Sequence, residues 1–317
     1  MKAVVWFLNL LDKHSRPALV GGVFIGVLLP DLAAALRPFA IPAVLGCLVG
    51  ALLLMDWSTL LAHFKRARII TLLLGWQLLV TPALAWLLGH GLQLSTELQQ
   101  ILLLQFAAAP IGSAAVFLLL LGLDGGLALL VSALSVLLLP LTLTLTIAVL
   151  GNGALDIELI PFFLRACVMI LAPVLTAIVL RKLIGATRVR AHSKSVSGLN
   201  VTLLIVFAIG VMEGVSEEVM QRPASAAMLF ITAWLVALVL HGSAFLAFRR
   251  HGLDVAFSAA VMSGNRNLGL MLAVTAGLTS RSFELYVGIA QIPMYCVPLL
   301  LAPLVQRAYA NRSQKTG

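Results

Sequence analysis

The sequence predicts an all-α polytopic membrane protein with about ten transmembrane helices in two inverted five-helix repeats. Three observations predict it. Hydrophobic residues make up 61% of the 317-residue chain and charged residues only 10%, against roughly 25% charged in an ordinary soluble domain. The apolar residues fall into ten stretches near the roughly 20-residue length that spans a bilayer. Helix breakers also interrupt the fourth stretch of each half at matching places, a pattern found in transporters built from inverted repeats. The apolar content excludes disorder, and three cysteines exclude a disulfide scaffold.

The spans are expected at 18–35, 39–56, 70–89, 100–121, 127–150, 161–180, 197–214, 224–247, 255–277 and 284–305, with boundaries good to a few residues. The polar loop Gly151–Ile160 divides them five and five, giving repeats 1–150 and 151–317. The segment before them, MKAVVWFLNLLDKH, reads as an amphipathic helix on the inner membrane surface. Its apolar run is short, and no small-residue cleavage site follows closely. Gly22–Gly26 and Gly46–Gly50 have GxxxG spacing, which predicts close helix packing. Cys47, Cys167 and Cys296 sit within spans and read as packing residues.

Ten spans place both termini on one side. That side carries 16 of the 21 Lys and Arg residues, in groups around Lys13, Lys65–Arg68, Arg181–Lys194, Arg249–Arg250 and Arg307–Lys315. The other side has Arg37, Arg222 and Arg281, together with Glu97, Asp156, Glu158, Glu217 and Glu218. The positive-inside rule therefore predicts cytoplasmic termini in a bacterial-type inner membrane. The same asymmetry accounts for the net charge of +9 without a nucleic-acid partner.

The fourth span reads Phe106-Ala-Ala-Ala-Pro110-Ile111-Gly112-Ser113, and the ninth reads Met262-Ser263-Gly264-Asn265-Arg266-Asn267-Leu268-Gly269. Pro110 and Gly112 in one, and Gly264 and Gly269 in the other, are expected to break the helix. Freed backbone groups must then face protein or a cavity, because lipid cannot satisfy them. Arg266 lies near mid-span, where a guanidinium costs about 2.5–3.5 kcal/mol or more and cannot shed its proton. No acidic residue lies at a span centre: Asp31, Asp56 and Glu213 are all near span ends. Two solutions stay open. Free carbonyls at the helix breaks hold the Arg266 charge, or a bound anion does. Arg165 lies close enough to the edge of its span to snorkel. Gln77, Ser132, Ser135, His241 and Gln291 are further polar residues within spans. A lone membrane His or Gln is expected to hydrogen-bond a neighbouring helix.

These residues resemble the bile acid:sodium symporter family over nearly the whole chain. The resemblance rests on Leu29-Pro30-Asp31 with Arg37-Pro38 and Leu45-Gly46, and on Gln77 followed by Pro82, Ala83 and Trp86. It also rests on Pro110-Ile111-Gly112-Ser113 through Pro140, on Leu240-His241-Gly242, and on Asn267-Leu268-Gly269-Leu270. It implies that the broken fourth and ninth helices cross within a core domain of spans 3–5 and 8–10. Spans 1, 2, 6 and 7 would form a panel domain. It further implies sodium-driven transport of organic anions. The implied sodium positions depart from the family pattern. Ala115 and Val116 stand for Ser and Asn, and Ala128 stands for Ser. Met262 replaces a sodium-binding Glu and Arg266 a Gln, whereas Gln77 and Asn267 match and Ser132 keeps a hydroxyl.

The expectation is a secondary transporter of a small organic anion working by alternating access, with no cofactor and no resident metal. Arg266 would act as a fixed cation in place of sodium, and Asn265, Asn267, Ser113, Gln77, Ser132 and His241 would provide polar contacts to the substrate. A proton-coupled or exchange-type exporter is the alternative, with His241 the one mid-span group able to carry a proton. A channel or a non-transporting sensor would use Arg266 as a structural or gating charge. An intramembrane enzyme is not expected. There is no HExxH, no paired mid-span Asp and no Cys/His cluster, and His14, His63, His90, His192 and His251 lie outside the spans.

Overall fold

The structure, a computed structural model, describes residues 2–13, 15–55, 64–151 and 157–316. Asp56, Asp156, His14 and His63, named above, lie outside the described residues. The described chain is helical, and its one departure toward strand geometry is a single bridge between Pro110 and Arg266. Among the described residues, seven helical stretches are long and apolar enough to cross a membrane: Pro30–Leu54, Ala67–Gly91, Gly125–Leu150, Leu159–Ile184, Ser193–Gln221, Pro223–His251 and Arg281–Arg307.

The remaining expected spans differ from the simple pattern for identifiable reasons. The fourth divides into Thr96–Ala107 and Ala114–Leu120, and the ninth into Leu253–Gly264 and Leu268–Thr275. No piece exceeds 12 residues. The first boundary was misplaced. The helix expected at 18–35 runs Ser15–Leu28 and stops at Leu29, which leaves the helical region at φ −121° and ψ 76°. Pro30 is the reason, since its ring disfavours helical geometry in the residue before it. Residues 30–54 then form one stretch, with a short 3-10 turn at Arg37–Phe39 where the loop between two spans was expected.

Two compact units emerge from the contacts, each drawing on both halves of the chain. The first comprises Met1–Asp56, Ile157–Phe230 and Leu268–Gln291, and the second Trp57–Asp156, Ile231–Asn267 and Ile292–Gly317.

The first unit is organised around helix Ser193–Gly210, against which Lys2–Lys13, Ser15–Leu28 and Ala40–Leu54 all pack. The GxxxG glycines make this packing close. A Cβ on Gly26 would lie 2.8 Å from the Ile209 carbonyl oxygen, and one on Gly46 would lie 2.9 Å from Leu203. Gly22 and Gly50 face Ala208 and Asn200 of the same helix. Arg181 closes the end of Ala40–Leu54 by donating from Nη1 to the Leu53 and Met55 carbonyls, at 3.3 and 2.7 Å. Those acceptors have no partner within their own helix. At the other end, Glu284 Oε2 accepts from Arg37 at 2.7 Å and from Arg281 at 2.8 Å, and Arg281 also reaches Glu213 at 3.0 Å. This four-residue chain ties the 37–39 turn, the segment after Gly210 and the start of Arg281–Ile289 together.

The second unit has an apolar core of Ala85, Leu102, Phe106, Val236 and Leu240. Two of its helices have side-chain caps. Ser95 Oγ accepts from the Leu98 amide at 3.4 Å, and Asp124 Oδ1 accepts from the Gly126 and Leu127 amides at 3.0 and 3.3 Å. Such caps satisfy amides that a helix start leaves unpaired.

Candidate functional site at the crossing of two broken helices

The second unit contains both helix breaks, and they meet. Helix Thr96–Ala107 ends as Ala108 turns to extended geometry, φ −62° and ψ 143°. Helix Leu253–Gly264 ends at Asn265. Between them the Ile111 amide donates to the Asn265 carbonyl at 2.9 Å, and the Asn267 amide donates to the Ala109 carbonyl at 2.8 Å. Pro110 sits opposite Arg266 in this short antiparallel bridge. The flanking residues make both hydrogen bonds, so Pro110 occupies the one position that needs no amide hydrogen.

Arg266 is fully buried, and its guanidinium is bound by the protein's own oxygens. Nε donates to the Ser263 carbonyl at 2.7 Å. Nη1 donates to the Ala108 carbonyl at 2.7 Å and the Gln77 carbonyl at 3.3 Å, and Nη2 donates to the Thr81 hydroxyl at 3.0 Å. Each carbonyl is available for a local reason. Ser263 would ordinarily accept from the Asn267 amide, which instead donates to Ala109. Ala108 lies where its helix has stopped. Gln77 falls in a five-residue π turn, Trp76–Val80, in which the Thr81 amide donates to Trp76 rather than Gln77. The next residue, Pro82, has no amide hydrogen to give. The Thr81 hydroxyl lies 2.8 Å from both the Gln77 and Phe106 carbonyls. Phe106 would otherwise pair with the amide of residue 110, a proline. Two prolines and one π turn thus create an oxygen cage, and Arg266 fills it.

Ser263, fully buried, accepts through Oγ from Trp76 Nε1 at 3.1 Å and Gln77 Nε2 at 3.0 Å. Asn265 is fully buried and donates Nδ2 back to the Val261 carbonyl at 2.8 Å. His241 packs on Gly264, where a Cβ would fall on the imidazole ring. Its Nδ1 pairs with the Ala237 carbonyl of its own helix at 2.7 Å, and Gln291 Nε2 donates to the Val287 carbonyl at 3.0 Å. Both bonds return one turn back along the chain, where partners on a neighbouring helix were expected. Ser132 and Ser135 are buried in Gly125–Leu150, and neither hydroxyl has a partner among the described residues. Gly112, Ser113 and Asn267 at the crossing are half-buried. Gly269 packs on Val44 and Phe207 in the first unit.

Sequence reasoning singled out Arg266 but missed Thr81 and Trp76 as its supports. The only trace of Thr81 was its place between Gln77 and Pro82. The acceptors themselves are backbone atoms, which no residue type announces.

The profile of the sodium bile acid symporter family matches residues 41–222, more than half of the chain. The chain belongs to the sodium bile acid symporter family. It is therefore a multi-pass membrane transporter. The match covers Gln77, Thr81, Pro110 and Ser113 but ends before Arg266. No curated protein matches the chain.

Four of the positions that the family resemblance assigns to sodium carry no side-chain oxygen here, whereas Gln77, Asn267 and Ser132 do. Ala115, Ala128 and Met262 are buried and Val116 is exposed, and none carries a side-chain oxygen. Sodium is a hard ion that needs several oxygen ligands. The carbonyl oxygens of Gln77, Ala108 and Ser263 already serve a guanidinium. A second cation beside it would meet like-charge repulsion in a low-dielectric setting.

Proposed function

We propose that this chain is a sodium-independent transporter of a small organic anion, with Arg266 as a built-in replacement for the coupling cation. The oxygen cage around the guanidinium is the observation that carries this reading. In it, a cation stabilises the crossing of the two broken helices, and that cation is covalently attached. The positive charge favours an anion nearby, and half-buried Ser113 and Asn267 offer neutral hydrogen bonds at the crossing. The fully buried Arg266 acts through its field and by holding the crossing in shape. Ten spans in two inverted repeats, alternating access of core against panel, cytoplasmic termini and an inner-membrane location complete the proposal. The short pieces of the broken fourth and ninth spans support it.

A thermal-shift screen of carboxylates and sulfonates, followed by uptake into proteoliposomes, tests this reading. The expected result is a stabilising anion whose uptake is the same in sodium and in choline. Uptake that rises with a sodium gradient contradicts it.

Proton coupling through His241 is the second reading. It is favoured by the ring's buried Nε2, which has no hydrogen-bond partner among the described residues.

A further inference from the structure

The first helix of the chain carries a membrane contact within the first unit. Helix Lys2–Lys13 packs on Ser193–Gly210, and Gly198 permits it, since a Cβ there would collide with the Leu8 carbonyl. One turn earlier, Ser195 Oγ lies 3.5 Å from Asn9 Oδ1. The middle of the first helix is thereby held at the first turn of Ser193–Gly210, level with the end of that span. Leu8, Asn9 and Leu11 are half-buried. Trp6, Leu10 and Lys13 recur at i, i+4 and i+7 and are exposed together with Phe7, Trp6 at 66%. An aromatic and aliphatic face that ends in a cation suits the boundary between acyl chains and headgroups. There an indole is favoured and a lysine reaches outward to the polar layer.

Basic side chains gather at the same level. Arg188 and Arg190 lie in the short helix Ala186–Ala191, which packs against Leu159–Ile184, Ala40–Leu54 and Ser193–Gly210. Lys194 is next to Ser195, and Lys13 is one turn beyond Asn9. All four are exposed. No acidic residue occurs between Glu158 and Glu213, and the first helix has one, Asp12. An apolar face alone would be satisfied by any lipid, but charge of one sign beside it selects an anionic headgroup. Arginine also matches phosphate oxygens with paired donors. We propose that the first helix and the Arg188–Lys194 segment together bind the phosphodiester headgroup of an anionic phospholipid, whose acyl chains lie against Trp6, Phe7 and Leu10. The occupant is a lipid rather than a free anion because the charged and apolar surfaces adjoin.

The test titrates full-length protein in detergent with brominated phosphatidylglycerol or brominated phosphatidylcholine of the same acyl chains, and reads tryptophan quenching. The chain has five tryptophans, so the Trp6 signal is the difference between wild type and Trp6→Phe. The expected result is half-quenching of Trp6 at a several-fold lower mole fraction of phosphatidylglycerol than of phosphatidylcholine. Lys13→Gln/Arg188→Gln/Lys194→Gln changes only exposed side chains, so its melting temperature in phosphatidylcholine should match wild type. Its preference for phosphatidylglycerol should fall by at least about fivefold, the effect of one basic residue at an anionic surface. Equal quenching of wild-type Trp6 by the two lipids overturns the proposal, leaving a helix that rests on the bilayer without reading the headgroup. A preference that survives in the triple variant overturns the assignment to these cations. Inorganic phosphate that removes the preference at equal ionic strength overturns the lipid in favour of a free anion.

Discussion

The Thr81 hydroxyl accepts from Arg266 Nη2 at 3.0 Å while lying 2.8 Å from the Phe106 carbonyl that Pro110 cannot serve. One side chain thus joins the third span, the broken fourth and the buried cation. Thr81→Val keeps the shape and removes the hydroxyl. Leaving buried polar groups unpaired costs about 1–3 kcal/mol. A fall of several degrees in the melting temperature of detergent-purified protein is expected, with Thr81→Ser close to wild type. A Thr81→Val variant as stable as wild type would remove Thr81 from the cage.

Arg266→Ala leaves the Ser263, Ala108 and Gln77 carbonyls without their donor and opens a buried void. The sequence alone left open whether Arg266 serves the substrate or the structure. The observed geometry predicts that folding suffers as well, by about 2–5 kcal/mol, from the unpaired carbonyls and the cavity left behind. Yield of monodisperse protein and its melting temperature measure this. Normal yield and stability would show that the guanidinium does not hold the crossing together.

Gly264 and His241 are sterically coupled. A Cβ at position 264 would fall on the imidazole, so Gly264→Ala alone is expected to cost at least about 1–3 kcal/mol through overpacking. The double variant Gly264→Ala/His241→Ala should recover part of this loss, a non-additivity that a double-mutant cycle reads directly. Strict additivity would contradict the packing.

The breaks and the buried charge were legible because Pro, Gly and Arg are conspicuous in an apolar run. What holds Arg266 was not legible. Its acceptors are carbonyls released by Pro82, by the π turn at Trp76–Val80 and by the helix end at Ala108, and a carbonyl has no residue identity. The first span was misread for a related reason: Pro30 ends the helix at Leu28 without changing the hydropathy of the stretch. His241 and Gln291 satisfied themselves one turn back along the chain, a choice that depends on rotamers rather than on composition. The GxxxG prediction held because close backbone approach needs only the absence of a side chain.

The chain Arg37–Glu284–Arg281–Glu213 rests on partly exposed pairs, whose individual contributions are about 0–1 kcal/mol. Glu284→Gln should therefore lower stability by about 1 kcal/mol, since that carboxylate serves two arginines. Moderate salt should shrink the difference by screening. A loss unaffected by salt would point to packing rather than charge.

The central claim is that Arg266 occupies the place of a cation. It is tested most directly by melting temperatures of wild type and Arg266→Gln in sodium chloride and in choline chloride at equal ionic strength. A ligand that binds only the folded state raises its stability. The account predicts a wild type indifferent to the exchange, and an emptied cage in Arg266→Gln that sodium stabilises. A wild type that itself melts several degrees higher in sodium would contradict it.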